Sequence, residues 1–184
     1  MKIADLDTLQ GTSFKWAARR ARNGIEPEIR VETFASVKTA LSEAAGFDVY
    51  ILDGAPHASK DTRTVAHACN LAVIPTGQSL DDLEPSVLLA HDLLKDGVAR
   101  DRIAFALLRV SDSEREIKEA RAYLAGAGYQ VLDGEVPFRT GFSKALDQGR
   151  AITETQFRSL SRRADRLAQA IIDAAANAGE RKAA

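Results

Sequence analysis

Short runs that are apolar at every position alternate along this chain with longer stretches of helical periodicity. Strands are predicted at Lys2–Leu6, Ile29–Phe34, Val49–Leu52, Leu71–Pro75, Ile103–Arg109 and Gln130–Leu132. In Val49-Tyr-Ile-Leu52 and Leu71-Ala-Val-Ile-Pro75 the apolar residues do not alternate with polar ones. That pattern predicts strands buried on both faces, as in a parallel sheet covered by helices.

Helices are predicted between them at Thr12–Asn23, Ser36–Ala45, Asp61–Cys69, Asp81–Lys95 and Ser113–Ala127. Asp81, Asp82 and Glu84 load one first turn and Lys95 closes the same segment, as the helix dipole favours. Ser113 and Glu116 have the spacing of a capping box, and Gly97 and Gly128 follow helical runs as stop signals. A last helix over 156–176 places Phe157, Leu160, Ala164, Leu167, Ile171 and Ala174 on one stripe, with Arg158, Arg162, Arg163 and Arg166 largely opposite. Alternation of this kind predicts right-handed βαβ units: an α/β fold with a doubly wound, mostly parallel sheet and helices on both faces. One domain is expected over 1–176, with a frayed tail at 177–184.

Composition narrows the classes. The 184 residues give 45% hydrophobic and 28% charged positions, ordinary for a globular domain, and a net charge of -1 argues against a uniformly basic nucleic-acid binder while leaving room for a local basic patch. One cysteine, Cys69, cannot make an intramolecular disulfide, so a reducing compartment is expected. His57, His67 and His91 are scattered without ligand spacing. No signal peptide or uncharged run of membrane-spanning length occurs, and a cytoplasmic location is expected.

Carboxylates mark the ends of two strands. Asp5-Leu-Asp7 closes the first, before the polar turn Thr8-Leu-Gln-Gly-Thr-Ser13, and Asp53-Gly-Ala-Pro56 follows Val49–Leu52. Ligands of open α/β sheets bind outside the carboxyl ends of strands, and carboxylates converging there suit Mg²⁺, a hard cation. Strand-end aspartates also cap the turns and helices that follow them, and taken singly each of these residues fits either role.

The order of the pieces resembles the ParA/MinD family of deviant P-loop ATPases. Asp5-Leu-Asp7…Gln10-Gly-Thr-Ser13…Trp16-Ala-Ala-Arg19 is similar to its switch I segment, and Tyr50-Ile-Leu-Asp53-Gly-Ala-Pro56 to its Walker B strand and switch II. Asn70-Leu-Ala-Val-Ile-Pro75-Thr-Gly-Gln-Ser-Leu-Asp81 resembles the next strand and loop. Val136-Pro-Phe-Arg-Thr140 and Ala145-Leu-Asp-Gln-Gly149-Arg-Ala-Ile-Thr-Glu154 resemble the late base-binding loop and a helix-Gly-x-x-x-x-Glu ending. The resemblance implies that Asp7 positions the hydrolytic water, that Asp5 and Asp53 support Mg²⁺, and that Arg109, Pro137 and Phe138 lie near the adenine of ATP. It also implies a homodimer around ATP, a ParB-like adaptor protein, and non-specific DNA bound through Lys144, Arg150, Arg162, Arg163 and Arg166, whose other reading is a solvated face.

Two features depart from the family. Thr8-Leu9 stands where a proline is usual, adding one residue before Gln10. More consequentially, no Gly-x-x-x-x-Gly-Lys-Ser/Thr spacing occurs anywhere, so the loop whose backbone N–H groups and lysine cradle phosphates is lacking, together with the strand and helix flanking it. That strand would be central in the family's sheet, so rows of backbone donors and acceptors are expected to be left unpaired. Three explanations compete: a fragment or misassigned start of a longer ATPase, a P-loop-less interaction module of the same fold, or a receiver-like Mg²⁺-binding domain. The last ranks lowest because no strand here ends in lysine. No ATP hydrolysis is expected of this chain alone.

Overall fold

Strand β1 (Lys2–Asp5) lies between β2 (Arg30–Thr33) and β3 (Tyr50–Asp53), parallel to both. A second parallel sheet has β5 (Ile103–Val110) between β4 (Ala72–Thr76) and β6 (Gln130–Pro137). These features belong to a computed structural model that describes residues 1–54 and 60–183. Ala55 and Pro56, at the end of the second aspartate motif, and His57 lie outside the described residues. The helices are α1 (Thr12–Arg22), α2 (Val37–Ser42), α3 (Lys60–Ala68), α4 (Leu80–Lys95), α5 (Glu114–Gly126), α6 (Thr140–Asp147) and α7 (Arg158–Ala183). The α/β class read from the hydrophobic pattern is the class observed.

Within β5 the side chains alternate as a doubly covered strand requires. Ile103, Phe105 and Leu107 pack with Leu83, Ala90 and Leu93 of α4 and Ile117, Ala120 and Leu124 of α5. Ala104 and Ala106 face the other way, against Phe142 of α6 and Ala164, Leu167 and Ala174 of α7. The first sheet has a much smaller core, formed by Ala4, Phe34 and Ala40 with Leu6, Tyr50 and Leu52 against them.

Three expectations change, at β3, β6 and α7, while the unpaired strand edges are as expected. β3 is not buried on both faces: Ile51 remains 43% exposed, and Val49 just before the strand 48%. β3 pairs only with β1 and β4 only with β5, so each has an edge that no described strand covers. β6 runs on to Pro137 instead of stopping at Leu132, because Asp133-Gly134 forms a bulge and not a turn. The register skips from Phe105↔Val131 to Leu107↔Glu135, and Gly134 at φ 80° makes the kink without a Cβ that would meet the Leu167 backbone nitrogen at 2.9 Å. α7 continues to Ala183, where fraying was expected from residue 177. The run Ala174–Ala176 is of the highest helix propensity, and Ala178 is buried.

The two sheets are fastened at one corner. Arg20 of α1, only 2% exposed, reaches Glu154 in the turn after α6, with Nη1 to Oε2 at 2.6 Å and Nη2 to Oε1 at 2.9 Å. The same guanidinium donates to the carbonyls of Glu26, Pro27 and Gly149. Trp16 Nε1 donates to the Arg150 carbonyl at 3.0 Å, and Asn23 to that of Gln148 at 2.8 Å.

Candidate functional site

At the carboxyl end of the first sheet Asp5 and Asp53 occupy paired register positions on β1 and β3. Neighbouring strands lie about 4.8 Å apart, so the two carboxylates start from adjacent Cα positions. Asp5 is fully buried. Its Oδ1 accepts the Asp7 N–H and its Oδ2 the Phe14 N–H, both at 3.1 Å, tying the strand end to the first turn of α1. Asp7 is half-buried, and its Oδ1 accepts the N–H groups of Leu9 at 3.2 Å and Gln10 at 3.0 Å. The chain then turns through Gly11, in the left-handed region at φ 54°, into α1. Asp53 Oδ2 accepts the Ser13 hydroxyl at 2.6 Å.

Asp5 and Asp7 are therefore engaged with the backbone of the turn that follows them, while Asp53 is joined to α1 through a hydroxyl. Ser13 belongs to the quoted motif, but its bond to Asp53 was not read from the sequence. The two residues are 40 apart, and only the β1–β3 pairing brings them together.

Hard oxygen donors suit Mg²⁺, which keeps several waters and takes one or two carboxylates plus substrate phosphates. Ser13 and Asp53 fit that donor type. Asp5 offers less, since both its oxygens already accept N–H groups in a buried position. Among the described residues no cluster of three or more His, Cys, Asp and Glu is placed to hold a metal ion by itself. Lys15, in the first turn of α1, donates to the Gln10 carbonyl at 2.6 Å.

A second concave region, of about 980 Å³, lies at the carboxyl ends of β4 and β5. Arg109 and Phe138 line it, and Pro137 is buried behind it. Arg109 sits at φ 56°, unusual for a non-glycine residue, with its guanidinium 5.3 Å from the centroid of the Phe138 ring. Phe138 itself is 59% exposed, and its N–H donates to the Val110 carbonyl at 2.9 Å. Gln78 bridges the floor: its Oε1 accepts the Ser111 N–H and its Nε2 donates to the Ser111 hydroxyl, both at 2.7 Å, and also to Glu116. Gln78 lies in the quoted loop after β4, but its bonds to Ser111, 33 residues away, were not read from the sequence.

The five cations expected to contact DNA are not equivalent. Arg166 forms a two-point pair with Asp133 at 2.8 and 2.9 Å, and Arg163 pairs with Glu135 at 3.0 Å. Asp133 is held below the usual carboxylate range by the Arg166 hydrogen bonds. Lys144, Arg150 and Arg162 are exposed and make no ion pair among the described residues.

No helix among the described residues is long and apolar enough to cross a membrane. No family model matches the sequence. No curated protein matches it either. Solved structures do resemble it. The MinD cell division protein of Aquifex aeolicus aligns over 93% of this chain and 83% of its own, with a TM-score of 0.66 at 11% identity. The cell division ATPase MinD of Pyrococcus furiosus aligns over 94% of this chain and 98% of its own, with a TM-score of 0.63 at 14% identity. The chain thus has the MinD-type α/β fold, with its strand-end aspartates at the carboxyl edge where such sheets bind ligands.

Proposed function

We propose that this chain is a ParA/MinD-like positioning protein that acts in DNA segregation with a ParB-like adaptor and does not turn over ATP by itself. One arrangement supports the reading: Asp5 and Asp53 side by side on β1 and β3, Asp7 in the turn between β1 and α1, and Ser13 bonded to Asp53. This is the half of an ATPase site that supports Mg²⁺ and orients water. When bound, Mg²⁺ would neutralise phosphate charge beside Asp53 and Ser13. Asp7 would take the water-orienting role, Asp5 would hold its turn in place, and Arg109 and Phe138 would offer a cation and a ring face to a base. The phosphate-gripping half has no counterpart in this sequence, and carboxylates without it repel a polyphosphate.

DNA contact is assigned to the unpaired cations Lys144, Arg150 and Arg162 first, with Arg163 and Arg166 joining only by leaving their carboxylates. A homodimer and a cytoplasmic location belong to the same proposal. The deciding experiment incubates the purified chain with Mg-ATP. Neither phosphate release nor a rise in Tm is expected, and turnover abolished by Asp7→Ala would overturn the reading. A second reading, an interaction module of the same fold without nucleotide chemistry, is favoured by the Asp5 and Asp7 oxygens being engaged with their own turn.

A further inference from the structure

Helix α1 carries no carboxylate. Lys15, Ala18, Arg19 and Arg22 stand at i, i+3, i+4 and i+7, so they share one face of it. Ala17 and Ala21, on the other side, line a hollow with Ile29 and Val31 of β2, which turns the cationic face away from the sheet. Lys15 and Arg22 are exposed. Arg19 is half-buried, and its Nε is enclosed without a hydrogen-bond partner, so no internal acceptor fixes the guanidinium through that atom.

A second basic element lies against this helix. A Cβ at Gly149 would stand 2.7 Å from the Arg19 carbonyl carbon, so the exposed Arg150 follows directly beside the α1 backbone. Its carbonyl accepts Trp16 Nε1 at 3.0 Å, and its N–H donates to the Ala145 carbonyl at 2.9 Å, closing α6, on which Lys144 is exposed. Asp147 is the one carboxylate in 140–150, and Glu154 at the same corner is gripped by Arg20. None of Lys15, Arg19, Arg22, Lys144 and Arg150 makes an ion pair among the described residues.

We infer that the Lys15–Arg19–Arg22 face of α1 joins Arg150 and Lys144 in one surface that contacts the phosphates of double-stranded DNA. The inference rests on the DNA reading above and adds to it a helix that no sequence motif assigned. Unpaired cations without base-reading side chains neutralise phosphates whatever the sequence. A single strand would call for exposed aromatic platforms, whereas Trp16 is bonded to the Arg150 carbonyl and lies 5.7 Å from the Arg20 guanidinium. A lipid surface would call for large apolar side chains among the cations, and between Lys15 and Arg22 this face offers only Ala18. With a net charge of -1 on the whole chain, such a basic row gives the molecule a preferred side toward a polyanion. The Arg20–Glu154 pair holds α1 and the turn after α6 together, so both rows are presented as one surface.

Fluorescence anisotropy of a labelled random-sequence duplex, titrated with the full chain over a range of KCl concentrations, tests this. Five phosphate contacts give a slope of log K against log salt of about -4.5. Lys15→Ala, Arg19→Ala and Arg22→Ala together should weaken binding at low salt at least about tenfold and make the slope shallower by about 3, and Arg150→Ala alone by about 1. Alanine favours helix, and circular dichroism shows that the triple variant is folded. The control, Lys38→Ala, Lys60→Ala and Lys118→Ala, removes the same charge from exposed positions on α2, α3 and α5 and should leave the slope unchanged. Wild-type binding that the α1 triple leaves intact, or that the control triple weakens equally, would overturn this surface while leaving the DNA reading in place. A wild-type chain that ignores the duplex at low salt would end the DNA reading and this surface with it. Binding to phosphatidylglycerol vesicles in preference to the duplex, lost in the α1 triple, would assign the face to a membrane and overturn the proposal.

Discussion

The guanidinium of Arg20 grips both carboxylate oxygens of Glu154 across 134 residues of sequence, at 2.6 and 2.9 Å. Arg20 leaves α1, next to the first sheet, and Glu154 precedes α7, which covers the second. The Glu154 Oε2 also accepts the Ala151 N–H at 2.8 Å, so the carboxylate is oriented before the arginine arrives. A planar fork meeting a planar carboxylate resists shear between the two halves, which lysine could not do.

Removing one partner of this pair leaves the other desolvated. Arg20→Ala should cost about 3 kcal/mol, and Arg20→Lys should recover only part of that. Urea unfolding followed by circular dichroism measures both. A loss under ~0.5 kcal/mol for the alanine variant would mean that the corner contributes little.

The pair also sets an acid limit. Glu154 is held below the ordinary carboxylate range, first by the Arg20 hydrogen bonds and then by the Ala151 N–H, against the opposing effect of burial. Its stabilisation is complete above the unfolded glutamate pKa of about 4.3 and is lost as pH falls through the lower folded value. Wild type should therefore lose stability below about pH 4 more steeply than Glu154→Gln, which is weaker at neutral pH. Paired pH–Tm profiles check this.

Gly149 packs directly against the backbone of α1. It sits at φ 77°, and a Cβ there would lie 2.3 Å from the Arg20 backbone nitrogen and 2.5 Å from its Cα. Neither obstacle is a flexible side-chain end. Gly149→Ala should cost on the order of 3 kcal/mol, combining left-handed strain with overpacking. Gly46→Ala, with open space around the new methyl, is the control.

Lys2 gives the opposite pH signature. Its ammonium is almost fully buried, paired with Glu32 at 2.6 Å and with Glu43, and lies 5.0 Å from the Phe34 ring centroid. The Glu32 hydrogen bond, followed by that of Glu43, raises its pKa above the usual lysine value. This stabilisation is present below the unfolded pKa of about 10.4 and lost as pH rises through the folded value. Lys2→Met should remove that alkaline loss while keeping the packing of the stem, as pH-dependent unfolding would show.

The second sheet should outlast the first. Ile103, Phe105, Leu107 and Leu124 are fully buried in one large cluster, whereas the buried cluster of the first sheet consists, among the described residues, of Ala4, Phe34 and Ala40. Native-state hydrogen exchange should find β5 amides protected close to the global unfolding free energy and β2 amides well below it. Equal protection in both would show that the corner makes them one cooperative unit.

Much of this was legible in the residues. The all-apolar runs at Val49–Leu52 and Leu71–Pro75 announced strands of a parallel sheet, although the first overstated the burial of β3, and Ser113, whose hydroxyl accepts the Glu116 N–H at 3.3 Å, announced the start of α5. The strand-end positions of Asp5 and Asp53 were also readable, because a strand's end is marked locally by the turn residues after it. The continuation of β6 through Asp133-Gly134 was not, since a bulge and a turn use the same residues and only pairing with β5 decides between them.

Local pattern by itself determined most of the strands and helices, though not α6 or the full length of β6, and at which strand ends the carboxylates stand, because hydrophobic periodicity and turn chemistry act over a few residues. Only the tertiary structure decided that Ser13 meets Asp53, that Arg20 meets Glu154, and that Arg163 and Arg166 are held by carboxylates. It also decided that β3 and β4 face a shared apolar gap instead of each other. Such relations depend on which strands pair and how closely two backbones can approach. Both are set by the packing of residues tens of positions apart, which no local pattern carries.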